Sequence, residues 1–95
     1  MKLLLLVVPR ELRDDAEAAL VESAGVGFTE IPGVYGEGST GPRFGSRQAP
    51  GVSDLVFAAL PDAKLGAARE ALASAGARRG LAIRAFVLPV EDAWG

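Results

Sequence analysis

Apolar positions along the chain form two kinds of pattern. Lys2–Val8 (KLLLLVV) is a continuous apolar run stopped by Pro9. A short unbroken run of this kind fits a strand buried on both faces. From Pro9 the period lengthens. Leu12, Ala16, Ala19, Leu20 and Ser23-Ala24 recur at helical spacing, with Arg10, Glu11, Arg13, Asp14, Glu17 and Glu22 between them. That predicts a helix with one apolar stripe and a charged, solvated remainder, opened by Pro9 and ended by Gly25.

Gly27–Tyr35 follows, rich in strand formers (Phe28, Thr29, Ile31, Val34, Tyr35) but interrupted by Pro32-Gly33. A bulge, a kink or an edge position is expected there. Val52–Leu60 alternates: Val52, Asp54, Val56 and Ala58 on one face, Ser53, Leu55, Phe57 and Ala59 on the other. Asp54, polar on an otherwise apolar side, is expected near the strand's exposed end. Pro61 and Asp62 start a second helix, with Asp62 as its N-cap. Leu65, Ala68, Ala71-Leu72 and Ala75 form the stripe, and Gly76 is the expected stop. Ala77–Gly80 (ARRG) then reads as a basic turn. Leu81–Leu88 reads as a fourth strand with Arg84 within it, and Pro89 ends it.

One stretch has neither period. Gly36–Gly51 (GEGSTGPRFGSRQAPG) carries five of the chain's glycines, at 36, 38, 41, 45 and 51, with Pro42 and Pro50. By composition it is a loop, long for a small domain, and such loops are usually functional or disordered. Arg43 and Arg47 among hydroxyls and free backbone N–H groups suit an anion. A solvated hairpin extension without a ligand fits the same composition. The glycines match neither a phosphate-binding Gly-Lys-Ser/Thr loop nor a dinucleotide fingerprint.

The element order is therefore β-α-β, long loop, β-α-β, the split arrangement of an α+β ferredoxin-like domain. It predicts a four-stranded antiparallel sheet with both helices on one face, the whole chain 1–95 forming one domain. The bare face would carry Val, Leu, Phe and Ala side chains, and a two-layer domain must cover it, here by oligomerisation.

Composition narrows the chemistry. With 95 residues and 49% hydrophobic content the chain is long enough for one core. A net charge of −2 and the lack of an aromatic base-stacking pattern point away from nucleic acid. No cysteine and no histidine removes disulfides, thiol nucleophiles, Ser-His-Asp chemistry and the preferred ligands of zinc and copper. No nucleophile–base pair is visible, so the chain reads as a non-enzyme. Leu3–Val8 is too short to span a bilayer. Pro9 and Arg10-Glu11 break it too early for a signal peptide, so a cytoplasmic location is expected.

The order and spacing of these pieces resemble the P-II signalling proteins over Met1–Asp92. Leu12-Arg13-Asp14-Asp15 after Pro9, Thr29-Glu30-Ile31 with Gly33-Val34-Tyr35-Gly36, Leu60-Pro61-Asp62, and above all Phe86-Val87-Leu88-Pro89-Val90-Glu91-Asp92 carry the likeness. The resemblance implies a ferredoxin-like domain assembled as a homotrimer. It also implies a regulatory sensor binding small anionic effectors, often adenine nucleotides, in clefts between subunits. Gly36–Gly51 would be the T-loop that docks on a partner, a transporter or an enzyme. Thr29 and Gly36 match cleft-lining positions, and Ala77–Arg84 matches the phosphate-side turn. Where that family's turn reads Gly-Asp-Gly-Lys, this chain has Leu81-Ala82-Ile83-Arg84, keeping only the final positive charge. Its modified T-loop tyrosine has no counterpart.

The candidate effector site is accordingly Thr29, Gly36, Gly38, Arg43, Arg47, Arg78, Arg79 and Arg84, with guanidinium groups supplying paired hydrogen bonds to phosphate or carboxylate. No metal site and no catalytic residue is assigned. Two alternatives stand beside this. One is an interaction protein whose loop binds a partner without an effector, Phe44 being its anchor. The other is a relative of the divalent-cation-tolerance proteins, with Glu30, Glu37 and Asp54 as oxygen ligands suited to magnesium or calcium.

Overall fold

The structure is a computed structural model that describes residues 1–34, 36–38, 41–43 and 52–95, with the backbone alone at 36–38 and 41–43. Strand β1 (Lys2–Pro9) leads through a short 3-10 turn (Arg10–Leu12) into α1 (Arg13–Ala24). Strand β2 (Thr29–Val34) follows, then two short strands, β3 (Gly36–Gly38) and β4 (Gly41–Arg43). Strand β5 (Ser53–Leu60), a 3-10 turn (Asp62–Lys64), α2 (Leu65–Arg79) and β6 (Arg84–Pro89) complete the chain.

β2, β5, β1 and β6 form a four-stranded sheet in that order, every neighbouring pair antiparallel. This is the expected ferredoxin-like topology. β1 pairs on both sides, Leu5 facing Phe57 of β5 and Phe86 of β6. Its residues Leu3, Leu5 and Val7 face away from the helices and are only half-buried, so a single copy buries one face of this apolar run. Leu4, Leu6 and Val8 point into the core with Val56, Ala58 and Leu60. The helices close it with Leu12, Ala16, Ala19 and Leu20 from the first helical segment and Ala68 and Leu72 from α2. Small alanines at these positions let both helices lie close to the sheet.

β2 is the edge strand, and its pairing with β5 shifts between Pro32 and Val34. The irregularity expected at Pro32-Gly33 is there: Gly33 has φ +72°, a left-handed conformation that costs a glycine little. The opposite sheet face bears no helix among the described residues. Ile31, Phe86 and Leu88 on it are between 42% and 47% exposed.

Several boundaries differ from expectation. Pro9 is the last residue of β1 rather than the first of a helix, because its extended backbone continues the pairing with Ser53. Gly76 does not end α2. It is buried, and a Cβ there would lie 2.7 Å from the Leu81 carbonyl oxygen, so glycine serves close approach rather than termination. The helix runs on through Ala77, Arg78 and Arg79 to Gly80, where the Leu81 N–H bonds the Gly76 carbonyl (3.0 Å) and the Gly80 N–H that of Ala77 (3.3 Å). This paired closure is a Schellman motif. Asp62 makes no N-cap bond and instead pairs with the amino group of Met1 at 3.0 Å. The fourth strand begins at Arg84, not Leu81, which leaves Arg84 at a strand end.

Candidate functional site

The densest polar contact in the described chain lies where the 36–51 stretch leaves and rejoins the sheet. Asp54, at the start of β5, is fully buried. Its register opposite Val8 and Pro32 places it in the inward row, so the carboxylate has lost its water and needs donors. Arg10 supplies Nη2 to Oδ1 at 2.7 Å and Nε to Oδ2 at 3.3 Å. Arg13 Nη1 reaches Oδ2 at 3.4 Å, and the Gly33 N–H donates to Oδ1 at 3.0 Å. The Arg10 bond above all, helped by Gly33 and the adjacent positive charge, holds the Asp54 carboxyl below its ordinary range, although burial pushes the other way. The Arg10 N–H also bonds the Val52 carbonyl at 2.8 Å. One carboxylate thus ties β2, β5 and the entrance to α1 together beside both ends of the stretch.

This overturns the expectation that Asp54 sits at an exposed strand end, and that Arg10 and Arg13 belong simply to a solvated helix face. The signal was present: Asp54 shares the parity of Val56 and Ala58, and a carboxylate in an inward row requires a cation. What the chain alone did not show is that antiparallel pairing of β1 with β5 brings the residues after Pro9 next to it.

Arg13 also bridges outward, its Nε lying 3.2 Å from Glu30 Oε2. Glu30 in turn faces Glu17 of α1. Burial first, then the neighbouring Glu30, pushes the Glu17 carboxyl up to about 7. Glu30 and Asp54 are both committed to arginine. Among the described residues no group of three acidic side chains could hold a metal ion. The cation-binding alternative therefore loses two of its three named ligands to ion pairs, and the side chain of Glu37 lies outside the described residues.

The candidate effector residues fall in three places. Gly36, Gly38 and Arg43 belong to the ribbon of β3 and β4, in which Gly36 faces Arg43 and Gly38 faces Gly41. The first part of the stretch is thus strand, not loop; main-chain pairing needs no side-chain period, which is why composition concealed it. The Arg43 side chain, Arg47, Phe44 and Tyr35 lie outside the described residues. Arg78 and Arg79 form the last turn of α2. Arg79 Nε binds Asp15 Oδ2 of α1 at 2.8 Å, so it joins the two helices; Arg78 is exposed.

Thr29 and Arg84 complete the set on opposite edges of the sheet. Thr29 opens β2 opposite Phe57, and Arg84 opens β6 opposite Val7, both exposed on the bare face. β5 and β1 separate their strands, and three strand spacings amount to roughly 14 Å. One copy of the chain does not bring them together.

No protein-family model and no curated protein sequence matches the chain. Solved structures do. CPII, a nitrogen regulatory PII-like protein from Thiomonas intermedia K12 bound to ADP, AMP and bicarbonate, superposes with a TM-score of 0.72. The match has 22% identity and covers 90% of this chain and 81% of that one. The fold is that of the P-II-like proteins. The same protein bound to ADP and bicarbonate gives a TM-score of 0.72 at 23% identity, with the same coverage of both chains. A DUF3240 family protein from Shewanella baltica OS155 matches at 0.70 with 22% identity, over 99% of this chain and 93% of its own. The P-II-like fold thus extends over nearly the whole sequence. Among the described residues no helix is long and apolar enough to cross a membrane.

Proposed function

We propose that this chain is a P-II-like regulatory protein. It assembles as a homotrimer through the bare sheet face, binds a small anionic effector in the clefts between copies, and presents the 36–51 stretch to a partner protein. The observation that carries this reading is the placement of Thr29 and Arg84 on opposite sheet edges, on a face whose apolar side chains lie open. For the two to share one site a neighbouring copy must close that distance, and a head-to-tail contact between unlike edges gives a closed ring when its rotation is a third of a turn. The fold likeness to a protein bound to ADP, AMP and bicarbonate names the first effectors to try.

In this reading Arg84 sets its positive charge against an adenine nucleotide or bicarbonate, Arg78 supports it from the helix end, and Gly36 and Gly38, without side chains, admit the effector close to the ribbon backbone. Asp54 fixes the feet of the 36–51 stretch, so that a change at the cleft reaches a transporter or enzyme docked there. No catalytic step is assigned.

The test is calorimetric titration of the purified chain, at a mass established by sedimentation, with ADP, AMP, ATP and bicarbonate. A ligand at about a hundredfold its dissociation constant would also stabilise by roughly 2.7 kcal/mol per site in thermal melts. Binding by one of these anions to a trimer, lost in Arg84→Ala, supports the reading. A trimer indifferent to every anion removes the effector and leaves a protein-docking role alone.

A further inference from the structure

Two carboxyl groups meet in the seam between α1 and edge strand β2. Glu30 pairs with the buried Val56, so its side chain lies in the inward row of the sheet, on the helix side. Glu17, one turn along α1 from Arg13, faces it. Arg13 sets Nε 3.2 Å from Glu30 Oε2 and Nη1 3.4 Å from Asp54 Oδ2. Glu17 Oε2 is buried and has no hydrogen-bond partner among the described residues. Ionised, that oxygen is a desolvated charge without a donor, beside a second negative charge; protonated, Glu17 can donate to Glu30. Burial first and Glu30 second therefore push the Glu17 carboxyl up to about 7, against the pull of Arg13.

The surrounding charges do not relieve the pair. Asp14, on the same helix, is negative and adds to the upward push. Asp54 of β5 is held by Arg10, and Arg79 of α2 is held by Asp15. Lys2, the one charged residue of β1, lies opposite Leu60, at the other end of the strand. From the pair the contacts lead to the 36–51 stretch. Arg13 touches both Glu30 and Asp54, and Asp54 accepts the Gly33 N–H at 3.0 Å, one residue before β2 ends at Val34. α1 is anchored in the core by Ala16, Ala19 and Leu20. β2 is hydrogen-bonded on one side alone, with its pairing irregular between Pro32 and Val34. Repulsion across the seam is thus relieved by movement of the β2 end, not of the helix.

We propose that the Glu17–Glu30 pair is a proton-operated latch: sharing a proton, it holds the end of β2 against α1, and without the proton it frees that end and the adjoining foot of the 36–51 stretch. Loss of the proton leaves two carboxylates competing for Arg13. As Arg13 turns toward Glu17, its long contact with Asp54 breaks, and the Gly33 bond loses part of its support. The latch is closed below about pH 7 and opens above it. Its consequence for a docked partner rests on the function proposed above; the latch itself rests on this chain alone.

The test is amide hydrogen exchange on the full chain without effector or partner, corrected for the intrinsic pH dependence of exchange. Protection over Glu30–Val34 should fall several-fold between about pH 6 and 8. The fall should be insensitive to low denaturant, which marks opening of that strand end rather than unfolding of the chain. In NMR the Glu17 carboxyl carbon and the Gly33 amide should titrate together over the same range. Glu17→Gln keeps the shape, has no proton to lose, and should remove both steps; Glu22→Gln, exposed on the same helix, should leave them. A fall that matches β1 in its dependence on both pH and denaturant would confine the proton's effect to whole-chain stability and overturn the latch. So would steps that persist in Glu17→Gln, or a native Glu17 that titrates below about 5. The native chain decides by itself if the variant does not fold. None of these readouts involves an effector, so the latch and the effector site fail separately.

Discussion

Asp54 shows how much can depend on one side chain. Its carboxylate is wholly buried, its guanidinium partners are partly in water, and its other partner is the main chain of the bulge. Asp54→Asn keeps the shape but removes the charge, and the chain should lose about 1.5–3 kcal/mol, read as a fall in melting temperature of at least several degrees. Two carboxyls give the pH dependence opposite signs. Asp54 titrates below its ordinary 3.8 when folded, so its contribution is present above that value and fades as pH falls through the folded value. Glu17 is raised from 4.5 to about 7, so the folded chain holds a proton that the unfolded chain releases. That contribution is complete below the unfolded value and is lost as pH rises through about 7. Denaturant melts between about pH 5 and 8 should show stability declining toward the alkaline end, and Glu17→Gln should flatten that decline.

Helix α2 contains two glycines with opposite roles. Gly66 is exposed near the start, and a Cβ there would meet nothing within 4 Å. Gly66→Ala should stabilise by about 0.5–1 kcal/mol, the helix-propensity difference. Gly76 has the Leu81 carbonyl in the place of its missing Cβ. Gly76→Ala should destabilise by about 1–3 kcal/mol, the usual range for overpacking. Thermal melts of the two variants separate the effects, since propensity alone predicts the same sign for both. The stripes of both helices were legible from spacing: Leu12, Ala16, Ala19 and Leu20, then Ala68, Leu72 and Ala75, are buried as their positions indicate. The end of α2 was not, because a glycine that caps and a glycine that admits a neighbouring carbonyl look alike in one dimension.

At the scale of the molecule, the sheet places Thr29 and Arg84 on opposite edges of one bare face. If clefts between copies unite them, Thr29→Ala and Arg84→Ala chains should each bind the effector poorly. Mixed assemblies refolded from both should recover binding that neither has alone. Calorimetry on the mixture reads this directly, and no recovery would mean that the two residues serve separate sites. Leu5→Asp at the centre of the bare face should shift sedimentation toward monomer, since a carboxylate there is costly to bury.

The sequence by itself determined the order of the four sheet strands and two helices, the two facing rows of β5 and the helical stripes. These follow from local periods of side-chain direction. That order narrows the possible topologies to a few, the ferredoxin-like one among them, since few connections of such elements close a sheet. Tertiary structure alone decided which polar residues meet. Arg10 reaches Asp54 because β1 runs antiparallel to β5, and Arg79 reaches Asp15 because α2 lies beside α1. Thr29 and Arg84 are parted because β1 and β5 take the middle of the sheet. Contacts between residues more than forty positions apart depend on which elements become neighbours, and the side-chain period within one element does not specify that.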